Sequence, residues 1–216
     1  MSKMNASILA VLLSVAIPGA SLATRAPTYH VVAEIPSGDG GWDLASVDEK
    51  RGRLYVARTD GVTVIDLKSG KASDRFVAGQ RVHAALAVPG TEYVISTNGQ
   101  ANNAILFDGR SGRIVATIPT GTKPDAAAYD PSTRTIWVMD PGSGDVTVVD
   151  PTAGKVLATV VVGGSLELGA PDGRGHLFVN VEDRNEVVVL DTRLRKVASR
   201  FPLAGCDGPT GIAYDP

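Results

Sequence analysis

The sequence predicts an all-β fold, a β-propeller of four-stranded antiparallel blades. Three observations predict it: a repeat of 42 residues, short apolar runs rich in Val, Ile and Thr with no helical segment, and small residues in the first run of every repeat. The repeat is the strongest of the three, because self-similarity at one fixed period is typical of proteins built from repeated structural units.

Two kinds of residue measure the period of the repeat. Segments that end in glycine close at Gly79, Gly121, Gly163 and Gly205, in equal steps of 42 residues. Runs of the "VTVID" type end at Asp66, Asp108, Asp150 and Asp191, in steps of 42, 42 and 41 residues. We therefore place four blades at about 39–79, 80–121, 122–163 and 164–205, with the start of a fifth at 206–216.

Each unit contains four apolar runs, which we interpret as four strands. The third runs, such as "VTVID" and "VVVLD", are apolar at consecutive positions, so both faces of their sheets must be covered. The first runs consist of small residues, as expected where several strands crowd around a common axis. We expect Leu44, Ala85, Ala127 and Ala170 to converge on a central channel.

The connection from the third strand to the fourth has a turn signature. "DLKSGK", "DGRSGR" and "DPTAGK" begin with an aspartate that can accept backbone N–H groups, and they end with a glycine that can take a positive φ. "DTRLRK" keeps the aspartate and lacks the glycine. We therefore expect the last turn to be the loosest.

The segments "RLYVARTDGVTVIDLKSGK" and "TIWVMDPGSGDVTVVDPTAGK" resemble the YVTN-type propeller repeat of bacterial exported and surface proteins, which include the YncE-like group. The resemblance covers residues 28–216 and implies a propeller that usually has seven blades and is usually not an enzyme. About four blades are present of these seven, so we interpret the chain as the N-terminal part of a longer propeller. A four-bladed ring is the alternative.

The two ends of the repeat region are offset from each other. Tyr29–Gly38 resembles a fourth strand, whereas "GPTGIAYDP" at the end resembles a first strand. In propellers such an offset closes the ring, because the N-terminal strand completes the last blade. The partner strands of Tyr29–Gly38 would then lie beyond residue 216.

Residues 1–23 have the pattern of a signal peptide, with Lys3, an apolar stretch at 6–20 and a small-x-small site at 21–23. We expect export, to the periplasm or the medium; an uncleaved N-terminal anchor is the alternative. Without this segment 20 basic and 23 acidic residues remain, which argues against a nucleic-acid or membrane surface. The single Cys206 excludes an internal disulfide, and we interpret it as a small buried hydrophobe or as the partner of a cysteine outside this sequence.

Polar residues recur at the beginning of each first strand, five residues before its end. They are Asp43, His83, Asp125, Glu167 and Thr210. Because this position is nearest the axis, we expect a polar ring at the mouth of the channel. The turns from the second to the third strand open on the same face and add Arg58, Asn98, Asp140, Asn180 and Glu182.

Carboxylates, an imidazole and amides in one ring could bind a divalent cation or a small polar ligand, although a water-filled channel also needs polar walls. Trp42 could stack on a ligand at the rim or pack between blades. No nucleophile–base pair and no common catalytic or cofactor motif is present, so we predict no catalytic residue and no cofactor beyond that cation.

We expect an exported, non-enzymatic propeller that binds a protein or a small molecule, or serves as a scaffold, through the loops at the channel mouth. Three alternatives remain open. The first is a metal-dependent hydrolase or lactonase with Asp43, Asp125, Glu167 and either Asn98 or Asn180 as metal ligands. The others are a docking subunit like the heavy chain of a periplasmic dehydrogenase, and a single-stranded DNA-binding protein, against which the acidic net charge argues.

Overall fold

The computed structural model describes residues 28–215, so the predicted signal peptide at residues 1–23 lies outside the described part of the chain. Residues 28–34 are exposed and contain no strand. From Ile35 onward the chain forms one compact unit. Within the described range, no helix is both long enough and apolar enough to cross a membrane.

The unit consists of four sheets, each made of four strands that are consecutive in the chain. The first sheet contains β1 (Trp42–Asp48), β2 (Arg53–Arg58), β3 (Gly61–Asp66) and β4 (Lys71–Ala78). The second contains β5 (Val82–Ala87), β6 (Tyr93–Asn98), β7 (Asn103–Asp108) and β8 (Ile114–Pro119). The third contains β9 (Ala127–Asp130), β10 (Thr135–Asp140), β11 (Asp145–Asp150) and β12 (Lys155–Val161). The fourth contains β13 (Leu166–Pro171), β14 (His176–Val181), β15 (Glu186–Asp191) and β16 (Lys196–Pro202).

Within every sheet each strand pairs antiparallel with the next strand in the chain, so every sheet is a simple meander. The predicted fold class is confirmed: the protein is an all-β propeller of four-stranded antiparallel blades. The total of seven blades stays a prediction.

Neighbouring sheets pack face to face through three apolar clusters. Between the first and second sheets, the rings of Tyr55 and Phe107 meet edge to face at 6.3 Å. Trp137, which is fully buried, lies in the cluster between the third and fourth sheets. All six residues of β10 are buried, so both faces of the blade are covered, as the uninterrupted apolar runs predict.

The first strands of all four sheets line one cavity of about 150 Å³, as the small residues of the first runs predict. Leu44, Ala85 and Ala127 contribute to its wall. Ala170 does not, and Leu168 and Gly169 take its place. The same bulge lies at the start of β1, β5 and β13, so Gly169 is equivalent to Ala85, and Ala170 lies one residue further along its strand, on the opposite face.

The connections from third to fourth strands have the predicted turn chemistry. In the first blade, Asp66 Oδ1 accepts the backbone N–H of the third residue after it at 2.8 Å, and Gly70 has a φ of 66°. In the fourth blade Asp191 Oδ1 makes the same contact at 2.8 Å, but Arg195 occupies the position of the glycine with a φ of 52°. That turn therefore keeps its shape with a side chain in the left-handed region.

Two details differ from what the sequence led us to expect. A short 3-10 helix, Glu182–Arg184, replaces a simple turn between β14 and β15. Cys206 is exposed, so its interpretation as a small buried hydrophobe is wrong.

The segments at both ends of the repeat region form no strand within the described residues. Tyr29–Gly38 forms no β-strand, and the partner strands predicted for it would belong to a further blade. Residues 208–215 lie beside the fourth sheet, where Leu168 N–H donates to the carbonyl of Thr210 at 3.3 Å. That position is where the first strand of a next blade would begin, and closure of the ring stays a prediction.

Candidate functional site

Three of the residues predicted at the channel mouth meet there, each from a different blade. Asp43 is the second residue of β1, His83 is the second residue of β5, and Asp125 lies two residues before β9. His83 Nδ1 lies 2.8 Å from Asp43 Oδ2 and 3.7 Å from Asp125 Oδ1. One donor atom from each of the three residues lies within 4.8 Å of the others. We call these three residues the donor cluster.

The surroundings fix the positions of the donor cluster. A Cβ atom on Gly99 would lie 2.8 Å from both Cδ2 and Nε2 of His83, so only glycine leaves room for the imidazole there. The backbone N–H of Asp125 donates to the Met139 carbonyl at 2.9 Å, and its own carbonyl accepts the Thr97 hydroxyl at 2.5 Å. These contacts hold His83 and Asp125 on the second and third blades, and Asp43 is held by its position in β1 of the first blade.

The geometry of the donor cluster fits a divalent transition-metal ion. Donors bound tetrahedrally to zinc at about 2.0–2.2 Å lie about 3.4 Å apart. That separation falls between the two distances of 2.8 and 3.7 Å measured from His83. One imidazole with two carboxylates is a donor set that zinc and its neighbours in the periodic table accept, whereas calcium and magnesium prefer oxygen donors alone.

The donor cluster belongs to a larger group of acids. Burial is the largest cause that raises the pKa of Asp125, and the negative charge of Asp43 adds to it, while His83 and Arg81 oppose the rise. Glu167 of the fourth blade has a pKa raised to about 7, first by burial and then by the negative charges of Asp125, Glu182 and Asp43. Glu167 therefore lies close enough to the donor cluster for the charges of Asp125 and Asp43 to raise its pKa, as the repeat spacing predicts.

The other residues predicted at the mouth have different surroundings. The guanidinium of Arg58 donates to the carbonyls of Gly38, at 2.5 Å, and of Gly41, at 3.0 Å, and so ties down the loop before β1. Asn98 is buried and accepts the backbone N–H of Gln80 at 3.2 Å. The side chain of Asn180 is also buried and donates to the carbonyl of Gly211 at 3.1 Å.

These contacts commit Arg58, Asn98 and Asn180 to backbone groups of neighbouring loops. The side-chain oxygen of Asn98 is occupied by its contact with the Gln80 N–H, whereas Asn180 uses its amide N–H, so an amide ligand for the hydrolase alternative stays a prediction. Glu182 is exposed and lies in the 3-10 helix. Its negative charge contributes to the raised pKa of Glu167.

Asp140, at the corresponding turn of the third blade, is fully buried. Its Oδ2 accepts the hydroxyl of Thr147 at 2.7 Å, whereas its Oδ1 has no hydrogen-bond partner in the described residues. Burial, followed by the neighbouring charge of Asp145, raises the pKa of Asp140 to about 7. This carboxyl group is therefore part of the interior of the blade and does not line the channel.

A cavity of about 440 Å³ opens beside the donor cluster, between the second and third blades. His83 and Asp125 form one side of it, and Arg81 and Lys123 are also part of its wall. Neither cation was predicted from the sequence, although each lies two residues before the ring residue of its own blade.

A second cavity, of about 320 Å³, adjoins the first one and shares Arg81 and His83 with it. Trp42 is part of its wall, and 78% of the surface of this tryptophan is exposed. Packing of Trp42 between the described blades is therefore excluded, and the indole is available as a flat apolar surface at the rim.

Comparison with solved structures shows the same fold in proteins of low sequence identity. Hydrazine synthase from Kuenenia stuttgartiensis has a TM-score of 0.64 at 16% identity over 81% of this chain and 52% of its own. Apo AztD from Citrobacter koseri has a TM-score of 0.58 at 17% identity over 80% of this chain and 49% of its own. The dihydro-heme d1 dehydrogenase NirN, in complex with DHE, has a TM-score of 0.66 at 20% identity over 81% of this chain and 40% of its own.

The chain thus spans about half, or less, of the length of these structures. At these identities the likeness shows the β-propeller fold alone. No protein-family model and no curated protein sequence matches the chain.

Proposed function

We propose that this chain is part of an exported, ligand-binding β-propeller of the YVTN type, and that its channel mouth holds a divalent transition-metal ion. Asp43, His83 and Asp125 are the proposed ligands. The observation that supports this most directly is the approach of one imidazole and two carboxylates, from three different blades, to within 4.8 Å. Three side chains held by three rigid sheets form a preorganised site, which reduces the entropic cost of binding.

The electrostatics of the site support the same proposal. The mouth gathers four acidic groups, and burial together with their mutual repulsion raises the pKa of Glu167 to about 7. A bound cation would neutralise this repulsion. Buried charges are normally paired with an opposite charge or coordinated to a metal, and Arg81 is the only basic residue, besides His83, that lowers the pKa of Asp125.

The experiment measures metal binding to the purified protein by isothermal titration calorimetry and equilibrium dialysis, with Zn²⁺, Mn²⁺ and Ca²⁺. We expect one Zn²⁺ or Mn²⁺ per chain and much weaker binding of Ca²⁺. His83→Ala should weaken zinc binding by at least ~100-fold, since it removes the only nitrogen donor.

His176→Ala is the matched control. Its imidazole also faces a carboxylate, with Nδ1 2.9 Å from Asp172 Oδ2, but it lies at the exposed start of β14 and belongs to no group of three metal-binding side chains in the described residues. Zinc binding should be unchanged in this variant. Equal loss in both variants, or no binding of any of the three ions to the unaltered protein, would refute the metal site.

A metal-dependent hydrolase is a second candidate, favoured by the position of Glu167. The three ligands leave part of the coordination shell of a metal open, and Glu167, a neighbouring carboxylate outside the three ligands, could act as a general base once a bound cation has neutralised the charges that raise its pKa. Glu167→Gln should then abolish hydrolysis of a simple lactone and leave zinc binding intact. Absence of hydrolysis by the zinc-loaded protein would leave binding as the function.

Export is the remaining part of the proposal, and it depends on residues 1–23. Expression of the full chain followed by cell fractionation tests it: we expect a shortened product that begins near residue 24 in the periplasm or the medium. A full-length product retained in the cytoplasm would contradict it. A docking role would appear in the same fractions as a second protein that co-purifies stoichiometrically.

A further inference from the structure

Two cationic residues, at equivalent positions of neighbouring blades, line the cavity beside the donor cluster. Arg81 lies two residues before His83, and Lys123 lies two residues before Asp125. Both contribute to the wall of the 440 Å³ cavity, whose volume lies in the range of small-molecule sites. The repeat therefore directs both cationic side chains to the same space, next to the proposed metal.

Neither cation is used by the fold. In the described residues, no carboxylate lies within ion-pairing distance of Arg81 or Lys123, and neither side chain donates a hydrogen bond. Among the other exposed cations, Arg200 pairs with Glu186 at 2.5 Å, whereas Lys68 and Arg134, for example, have no such partner in the described residues. The two charges beside the cavity are therefore available to a ligand.

The backbone at both positions has a conformation that suits glycine better than a side chain. Arg81 and Lys123 each have a φ of 53°, in the left-handed region that L-amino acids seldom occupy. Gly208, two residues before Thr210, is the corresponding residue at the end of the repeat region, and its φ is 63°. The loop shape thus needs no side chain here, and strained residues of this kind cluster at functional sites.

The charge of the loaded site favours an anion. Asp125 is the one carboxylate among the residues that line the 440 Å³ cavity, and a divalent ion would neutralise it together with Asp43, which leaves Arg81 and Lys123 as the net charges of the cavity wall; Glu167 and Glu182 are not part of that wall. The adjoining cavity offers the exposed indole of Trp42, on which a planar apolar group can stack.

We propose that these two neighbouring cavities, which share Arg81 and His83, together bind a small organic carboxylate, with its anionic group between Arg81, Lys123 and the metal and its apolar part against Trp42. The metal contact rests on the proposed function, whereas the contacts with the two cations and the indole do not. The inference thus adds a ligand class to the site.

Benzoate is the probe, because it combines one carboxylate with one planar ring. We expect the zinc-loaded protein to bind it, as measured by calorimetry and by a change in the fluorescence of Trp42. Trp137 is fully buried and should not respond, so Trp42→Phe should remove the fluorescence signal. Benzamide, an uncharged analogue of the same shape, should bind at least ~10-fold more weakly, since the carboxylate contacts supply the affinity.

The double variant Arg81→Gly, Lys123→Gly removes both charges and relieves both strained conformations. It should lose at least ~10-fold in benzoate affinity with no fall in its thermal unfolding temperature. Arg195→Gly is the matched control, because it also removes one exposed cation with a φ of 52°, on a turn at the outer edge of the fourth blade. Benzoate affinity should be unchanged there.

The outcomes separate this inference from the metal site. Zinc binding without benzoate binding, or equal benzoate affinity in the double variant and the unaltered protein, overturns the inference and leaves the metal site in place. Benzoate binding that depends on Arg81 and Lys123 in a protein that binds no zinc supports the inference and refutes the metal site.

Discussion

Replacing Asp140 with asparagine should stabilise the protein at alkaline pH and change its stability little at acidic pH. The carboxyl group is fully buried, its Oδ1 is without a partner in the described residues, and burial together with Asp145 raises its pKa to about 7. In the unfolded chain the same group has a pKa of about 3.9. The folded state therefore binds a proton that the unfolded state releases.

The sign and size of the effect follow from this difference. A group whose pKa is raised in the folded state contributes stability that is present below its unfolded pKa and lost as the pH rises through its folded pKa. For Asp140 the loss begins near pH 4 and is complete above pH 7. Between pH 5 and pH 8 it amounts to about 2–3 kcal/mol, at about 1.4 kcal/mol for each pKa unit.

Asparagine cannot ionise, so Asp140→Asn does not undergo this loss. Its side-chain oxygen can still accept the Thr147 hydroxyl, and its amide N–H can donate towards the neighbouring carboxylate of Asp145. Relative to the unaltered protein, the variant should thus gain about 2–3 kcal/mol in its free energy of unfolding between pH 5 and pH 8.

The assay is urea unfolding at pH 5 and pH 8, followed by the fluorescence of the buried Trp137. Asp39→Asn, at an exposed position, is the matched control and should show no pH-dependent gain. A difference between Asp140→Asn and the unaltered protein that stays constant with pH, or that becomes more destabilising at pH 8, would refute the assignment of a proton to this buried carboxyl group.

Three further substitutions test the fold. Arg195→Gly should raise the free energy of unfolding by about 1 kcal/mol by relieving a φ of 52°, as measured in urea; a loss would contradict the strain argument. Tyr55→Phe should cost about 1 kcal/mol, because it removes a 2.7 Å bond to the Gly109 carbonyl, which keeps another donor; a neutral effect would argue against that bond. Gly61→Ala should lower the thermal midpoint sharply, since its Cβ would lie 2.3 Å from the Val77 carbonyl oxygen; an unchanged midpoint would show that the strands can separate.

The period of the repeat was enough to predict the blades and a ring of polar residues at the channel mouth. Equal spacing along the chain becomes an equal position in each blade, so counting grouped Asp43, His83 and Asp125 with Glu167 and Thr210, but it did not single out the three that meet. The distances between them could not be predicted, because these depend on side-chain rotamers and on the space that Gly99 leaves for the imidazole.

Counting was less successful at the ends of the second strands. Successive side chains of a strand point to opposite faces, so a shift of one residue decides whether an amide faces the channel or the neighbouring loop. Asn98 is the last residue of β6, whereas Asn180 is the last but one of β14, and both amides bind backbone groups. These asparagines are polar because they form hydrogen bonds with buried backbone N–H and C=O groups. From the sequence alone, this role cannot be distinguished from that of a polar residue that lines the channel.

The position two residues before each ring residue shows why the proposed ligand should bind away from the channel axis. It is occupied by Gly41, Arg81, Lys123, Ser165 and Gly208 in successive units. A ligand on the axis would face every blade equally, so cations on only two neighbouring blades would attract it to one side and not hold it on the axis. Because both cations border the same cavity as His83 and Asp125, the positive charge and the metal donors act on one side of the mouth. Ser165→Arg would add a third cation outside this cavity, so it should strengthen benzoate binding only if the ligand occupies the axis.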